Sequence, residues 1–235
     1  MDTNIAQAPG SLVCRCGACR IAVCDPTLRY RIECLCCDCR QRLLNSARRR
    51  IGNKVPSAIA AYGRGVDLLY FANALRVDDD SHALLEFSKL REDAFNTTAM
   101  STCCGTVMCG AHPAFEGAAI WATPDSCTVN ACLSMSPQFY LFSCDFPADK
   151  YASLPMQHTI PTVICASDEI DSAPIVELLT AVRAPLAPTY ADNRHTTFEQ
   201  LCASRPIEID NACYEESRIG KPSTGEAASF SVQVA

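Results

Sequence analysis

Short stretches in which apolar and polar positions alternate dominate the first two thirds of the chain, the period of half-buried strands. Ile21 and Val23 alternate with Arg20 and Ala22, and Asp25-Pro26 breaks the run. Leu28, Tyr30 and Ile32 resume it over 28–34, so the two runs read as hairpin partners. A short helix is predicted over 40–46 and a polar loop over 48–56. Further short strands are predicted over 58–62, 66–71, 83–87, 97–101, 107–109, 118–121, 128–133 and 138–142. Gly63-Arg64-Gly65, Asp78-Asp79-Asp80 and Thr123-Pro124-Asp125 supply turn chemistry between them. After Pro147 the period changes. Ile175, Leu178, Leu179 and Val182 fall on one helical face behind a capping Asp171-Ser172, with Pro174 in the first turn. Residues 184–188, with two prolines, end that helix, and 196–202 reads as another helical piece. The pattern predicts a mainly β fold of short strands with a partly helical C-terminal extension. Residues 1–12 read as a flexible leader, 13–155 as the main domain, 156–214 as the extension and 215–235 as a disordered tail.

Composition changes this picture at one point. Among 235 residues, 49% are hydrophobic and 20% charged, ordinary globular values, but 17 are cysteine. That count is odd, and the first residues carry neither a basic n-region nor an apolar h-region of a signal peptide. No apolar run approaches the roughly 18 residues of a membrane span. A reducing, cytoplasmic setting without membrane association follows as the expectation. Net charge is −6, with +6 over residues 1–60 (ten Lys/Arg, four Asp/Glu) and −12 over the remainder (ten and twenty-two). Arg48-Arg49-Arg50 reads as a solvated face, an anion-attracting patch or a nucleic-acid contact. The acidic balance of the whole disfavours the last.

The cysteines are clustered. Cys14 and Cys16 precede Gly17; Cys34, Cys36, Cys37 and Cys39 fall within six residues ahead of Arg40; Cys103 and Cys104 precede Gly105. Thiols this close in sequence seldom meet disulfide geometry, but they suit zinc, with Zn–S distances of about 2.3 Å. Cys14/Cys16 and the Cys103/Cys104 region can close one tetrahedron between distant segments. Cys34, Cys36 and Cys39 can supply three thiolates on a tight loop with no fourth donor nearby in sequence, leaving a position for an incoming thiolate. Cys24, Cys109, Cys127, Cys132, Cys144, Cys165, Cys202 and Cys213 read as packing residues, with Cys19 and Cys37 ambiguous. Asp38 reads as a turn carboxylate or an acid/base group. The histidines read as ordinary, His158 being the one to check.

This ordered set, Cys14-x-Cys16-Gly17, Cys34-x-Cys36-x2-Cys39-Arg40 and a distant Cys104-Gly105, resembles the glutathione-dependent formaldehyde-activating (GFA) enzyme and centromere protein V superfamily over roughly residues 12–155. Val129-Asn130-Ala131 and Asp145-Phe146-Pro147 are similar to later parts of the pattern. The resemblance implies short antiparallel strands around two zinc ions. One is structural, on Cys14, Cys16 and Cys104 with a further cysteine; the other is catalytic, on Cys34, Cys36 and Cys39. It also implies carbon–sulfur lyase activity that joins glutathione, or another small thiol, to an aldehyde such as formaldehyde. The chain departs from the pattern where Ser101 stands at the expected fourth structural ligand, with Cys103 as substitute, and where Gln41 to Asn45 lack the family's glycine. Arg40 and Arg42 are the expected cations for a substrate carboxylate. Two other readings stand beside the enzyme. One is a non-catalytic zinc module, closed by Cys37, that binds protein or nucleic acid through Arg48, Arg49 and Arg50; the other is a thiol redox protein.

Overall fold

The computed structural model describes residues 10–49, 56–151, 154, 163–164, 171–190 and 194–210. The described chain is mainly β, in one four-stranded and one nine-stranded sheet. In chain order the strands are β1 (Gly10–Val13), β2 (Arg20–Val23), β3 (Tyr30–Cys34), β4 (Val66–Ala72), β5 (Leu75–Arg76), β6 (Leu85–Lys89) and β7 (Thr97–Ser101). They continue with β8 (Val107–Ala111), β9 (Ala119–Ala122), β10 (Thr128–Asn130), β11 (Tyr140–Leu141), β12 (Val163–Ile164) and β13 (Ile207–Ile209). The helices are α1 (Cys37–Arg49), α2 (Ser57–Ala60), α3 (Asp79–Ala83), α4 (Ala148–Tyr151), α5 (Ala173–Val182) and α6 (Phe198–Ala203). No helix among the described residues is long and apolar enough to cross a membrane.

The small sheet runs β10-β1-β2-β5 and the large one β12-β11-β3-β4-β9-β8-β7-β6-β13. Alternation sorts the side chains of the large sheet between two cores. Leu69, Phe71, Ile120 and Ala122 meet Leu12, Ile21 and Val23 of the small sheet, and Phe198 and Leu201 of α6. Leu68, Tyr70 and Trp121 face the other way, onto Leu43 of α1 and Ile175, Leu178 and Val182 of α5. With both faces covered, every residue of β4 is buried, which is why Leu68 to Ala72 read as a continuous apolar run, while the buried Asp67 pairs with Arg31. The helix expected behind Pro174 is α5, and that expected near 196 is α6, started by a reciprocal Thr197/Gln200 capping box.

Several expectations are corrected. Residues 10–12 are not leader but most of β1, and Leu12 is fully buried. β2 and β3 are not a hairpin: β2 pairs with β1 and β5, and β3 with β4 and β11. The Asp25-Pro26 break carries the chain from one sheet to the other. Residues 58–62 begin as helix α2, because Ala58 and Ala60 favour helix and the segment buries only Ile59. The Asp78–Asp80 turn opens α3, where the Asp78 carboxylate accepts from the Ser81 amide. The strands are also not all antiparallel. β11 pairs parallel with β3 and β12, and β13 with β6, each after a long crossover.

Candidate metal centres

Four thiols meet where the β1–β2 turn touches the β7–β8 turn. The sulfurs of Cys14, Cys16, Cys103 and Cys104 all lie within 4.8 Å of one another and can hold a metal ion. Left-handed Gly17 (φ 82°) and Gly105 (φ 68°) allow the two tight turns. Measured separations are 3.5 Å for Cys14–Cys16, 3.7 Å for Cys14–Cys103, 3.3 Å for Cys16–Cys103 and 3.9 Å for Cys103–Cys104. Sulfurs about 2.3 Å from a common centre stand about 3.8 Å apart in a regular tetrahedron. The spacing therefore fits one tetrahedral ion and is far from a 2.05 Å disulfide. Cys103 is a member of the group. Ser101, one turn earlier, lies behind it: its hydroxyl is 3.4 Å from the Cys104 sulfur and accepts from the Thr106 amide. The Thr106 hydroxyl accepts from the Arg15 amide and sits 3.1 Å from the same sulfur. Against the desolvation of its half-buried place, these hydroxyls pull the Cys104 thiol down to about 6. Burial and the Cys16 sulfur push Cys103 up to about 12.

The second group is Cys34, Cys36 and Cys39, again with sulfurs within 4.8 Å. Cys34 ends β3 on the inward side shared by Tyr30 and Ile32. Cys39 lies in the first turn of α1, which starts at Cys37, not at residue 40 as expected. The thiols thus sit at a helix N-terminus, where unpaired amides favour negative charge. The Cys34 and Cys36 sulfurs are 3.2 Å apart, and the Cys39 amide points at the Cys36 sulfur from 3.3 Å. Hydrogen bonding by Cys34 and Cys36, helped by Arg42, holds the Cys39 thiol well below its ordinary value. Cys34, Cys39 and burial push Cys36 well up. One thiolate shared among three sulfurs is what a soft cation would extend to all three. Cys37 is not in the group; its thiol lies 3.7 Å from the Asp38 carboxylate, and its amide donates to Asp145. Asp38 is neither a solvated turn carboxylate nor placed for proton transfer, because Arg91 grips both its oxygens at 3.0 and 2.9 Å.

The two expected cations part company. Arg40 gives its donors to the carbonyls of Ile59 and Ala60 and to the Tyr62 hydroxyl, and stacks on the Tyr62 ring at 3.7 Å, tying α1 to α2. Arg42 is 6% exposed, lies 5.3 Å over the Trp121 ring and makes no hydrogen bond or ion pair with a described residue. Trp121 is held by its own hydrogen bond to Asn96 (2.9 Å) and by Gly110, where an added Cβ would stand 2.3 Å from the ring. His112 packs between Phe95 and Phe115, accepts from the Ala114 amide at Nδ1, and is held down to about 4 by burial and by Arg42. Spacing could not have found Trp121, Asn96, Gly110 or His112, which come from β8, β9 and the residues flanking β7 and β8, far from the thiols in sequence. Their one sequence signal is the chain's single tryptophan.

Arg48 and Arg49 end α1, whereas Arg50, His158, Cys165 and Cys213 lie outside the described residues. Cys24, Cys109, Cys127 and Cys202 are buried as expected, and Cys19, ambiguous in the sequence, is buried too, but Cys132 and Cys144 are exposed. A groove of about 590 Å³ lies between α6, β13 and the ends of β7 and β8, and no thiol of either group lines it. The chemistry is at the sulfurs and the groove is not counted with it. Comparison of the chain with protein-family models, curated proteins and solved structures finds no match.

Proposed function

We propose that the chain is a zinc-dependent carbon–sulfur lyase of the GFA type, making or breaking a thiol–aldehyde adduct such as S-(hydroxymethyl)glutathione beside Cys34, Cys36 and Cys39. One observation carries the reading. Of two thiol groups in the same fold, one supplies four donors and the other three among the described residues, and the latter sits beside the buried guanidinium of Arg42, which has no hydrogen bond or ion pair with a described residue. Zinc bound there supplies a soft Lewis acid that keeps an incoming thiol as its thiolate.

The chain's own residues do the rest. Cys34 at the end of β3, with Cys36 and Cys39 at the start of α1, would hold the ion, and the helix amides offset part of their charge. Arg42 takes a carboxylate of the thiol substrate, an ion-pair partner that no described residue supplies. Trp121 and Asn96 fix the plane in which it does so. In adduct formation the thiolate sulfur adds to the carbonyl carbon; the C–S bond forms, the C=O π pair moves to oxygen, and that oxygen takes a proton from water. Cleavage is the reverse. A closed structural centre would need a fourth donor, and the Cys37 thiol lies instead against Asp38.

The test is Cys36→Ser, assayed by NMR exchange between free glutathione, formaldehyde and their adduct. Catalysed exchange is expected to fall at least about a hundredfold, since even outer partners of metal ligands cost that much. Exchange unchanged from wild type refutes the proposal.

A further inference from the structure

The four-thiol centre is not uniformly protected. Cys14 is 2% exposed and Cys104 is half-buried under the Ser101 and Thr106 hydroxyls, whereas Cys16 and Cys103 are both exposed. Those two sulfurs are 3.3 Å apart, the shortest of the four separations given above, and are 87 residues apart in sequence. The alternatives are poorer. Cys14–Cys16 and Cys103–Cys104 are next-but-one and adjacent pairs, whose short backbone disfavours a relaxed bridge. Cys14–Cys103 needs a buried sulfur to react. In the other centre Cys34 is buried and Cys36 and Cys39 are half-buried, so that centre is less reachable.

We propose that Cys16 and Cys103 are a peroxide-sensitive pair that closes to a disulfide when hydrogen peroxide reaches this face. The first sulfur attacks one peroxide oxygen and the O–O bond breaks. The departing hydroxide takes a proton to become water, leaving a sulfenic acid. The second sulfur attacks the first, the S–OH bond breaks, and the leaving hydroxide takes a proton from solvent, since sulfurs that hold a metal are thiolates. Two thiolates, one peroxide and two protons from solvent give one disulfide and two waters, and the metal leaves as the free dication. The disulfide removes two of the four donors, and Cys14 with Cys104 cannot close a tetrahedral zinc site alone. The β1–β2 and β7–β8 turns stay joined, by a covalent bond in place of the ion. The site is thus an oxidisable clasp, and it stands whether or not the other centre performs carbon–sulfur chemistry.

The experiment uses the full chain loaded with zinc(II), in a Cys132→Ser/Cys144→Ser background that removes the other exposed thiols among the described residues. Peroxide is titrated in while zinc release is followed with a metallochromic dye. Samples are alkylated and mapped by peptide mass. The expected result is loss of two hydrogens, a Cys16–Cys103 cross-link, and release of the zinc of this centre in step with it, reversed by dithiothreitol and fresh zinc. Adding Cys103→Ser should abolish the cross-link. If that variant does not fold, the map of the parent decides. First oxidation at Cys34, Cys36 or Cys39, a different pairing, or a cross-link without zinc release would overturn the proposal.

Discussion

Replacing Gly110 with alanine probes the support of the three-thiol centre without touching a thiol. The new Cβ would stand 2.3 Å from Cζ2 and 2.6 Å from Cε2 of Trp121, and 2.8 Å from the Thr97 carbonyl oxygen. Ordinary contact begins near 3.4 Å, so ring or strand must give by about 1 Å. The strand cannot easily move, because Gly110 pairs with Trp121 on one side and Thr98 on the other. The ring is held by Asn96 below Arg42. Overpacking of this kind costs about 3 kcal/mol, or roughly 6–12 °C in Tm for a chain of this size. Trp121 is the only tryptophan, so its fluorescence reports the displacement without interference. Thermal unfolding and emission spectra of Gly110→Ala should show both the lower Tm and a shifted maximum. Gly117→Ala is the control, because its Cβ meets nothing within 4 Å and pays only for a left-handed backbone (φ 73°), about 1 kcal/mol. A Gly110→Ala protein with unchanged Tm and emission would refute the packing that places Arg42.

Arg42→Met should raise KM for the thiol about tenfold or more while raising stability by on the order of 1 kcal/mol, since it removes a buried charge that has no hydrogen bond or ion pair among the described residues; falling stability would mean that the guanidinium is structural. His112 is held down to about 4 against 6.5 when exposed, so the unfolded chain binds a proton that the folded one refuses. Its stabilising contribution is present above pH 6.5 and is lost as pH falls towards 4, by up to about 3 kcal/mol, and denaturant titrations of His112→Asn should show a flatter pH dependence in that window. Metal analysis should find zinc at both thiol groups of the wild type and at only one in Cys14→Ser, and chelation should lower Tm.

Strand existence was legible for β2, β4, β7, β8 and β9, which lie where alternation or an apolar run puts them, but not for β1, whose four residues are too few to show a period. Pairing was not, because alternation says which face a residue takes but not which strand lies beside it; β2 and β3 look like neighbours and belong to different sheets. α1 was half hidden, its first turn being made of thiols, whose clustering says nothing about helix. At the sites, the grouping of the thiols followed from spacing; whether Cys103 would stand in for Ser101 was open in the sequence, and the structure brings its sulfur in with those of Cys14, Cys16 and Cys104. The supporting residues did not. Arg40 and Arg42 are equal as cations in sequence, and only packing assigns one to Tyr62 and the other to Trp121.

Asp125 has a wider reach than any one of its contacts suggests. Its backbone carbonyl accepts from Arg15, the residue between Cys14 and Cys16, while its carboxylate takes Arg64 and the amide of Asp67. Arg64 adjoins Gly65, which lies so close to the Cys34 carbonyl that a Cβ would come within 2.9 Å of it. A displacement at either sulfur nest is therefore handed through one acidic residue towards the other. The two nests share a common footing, and evolution cannot retune one of them at this position without disturbing its neighbour.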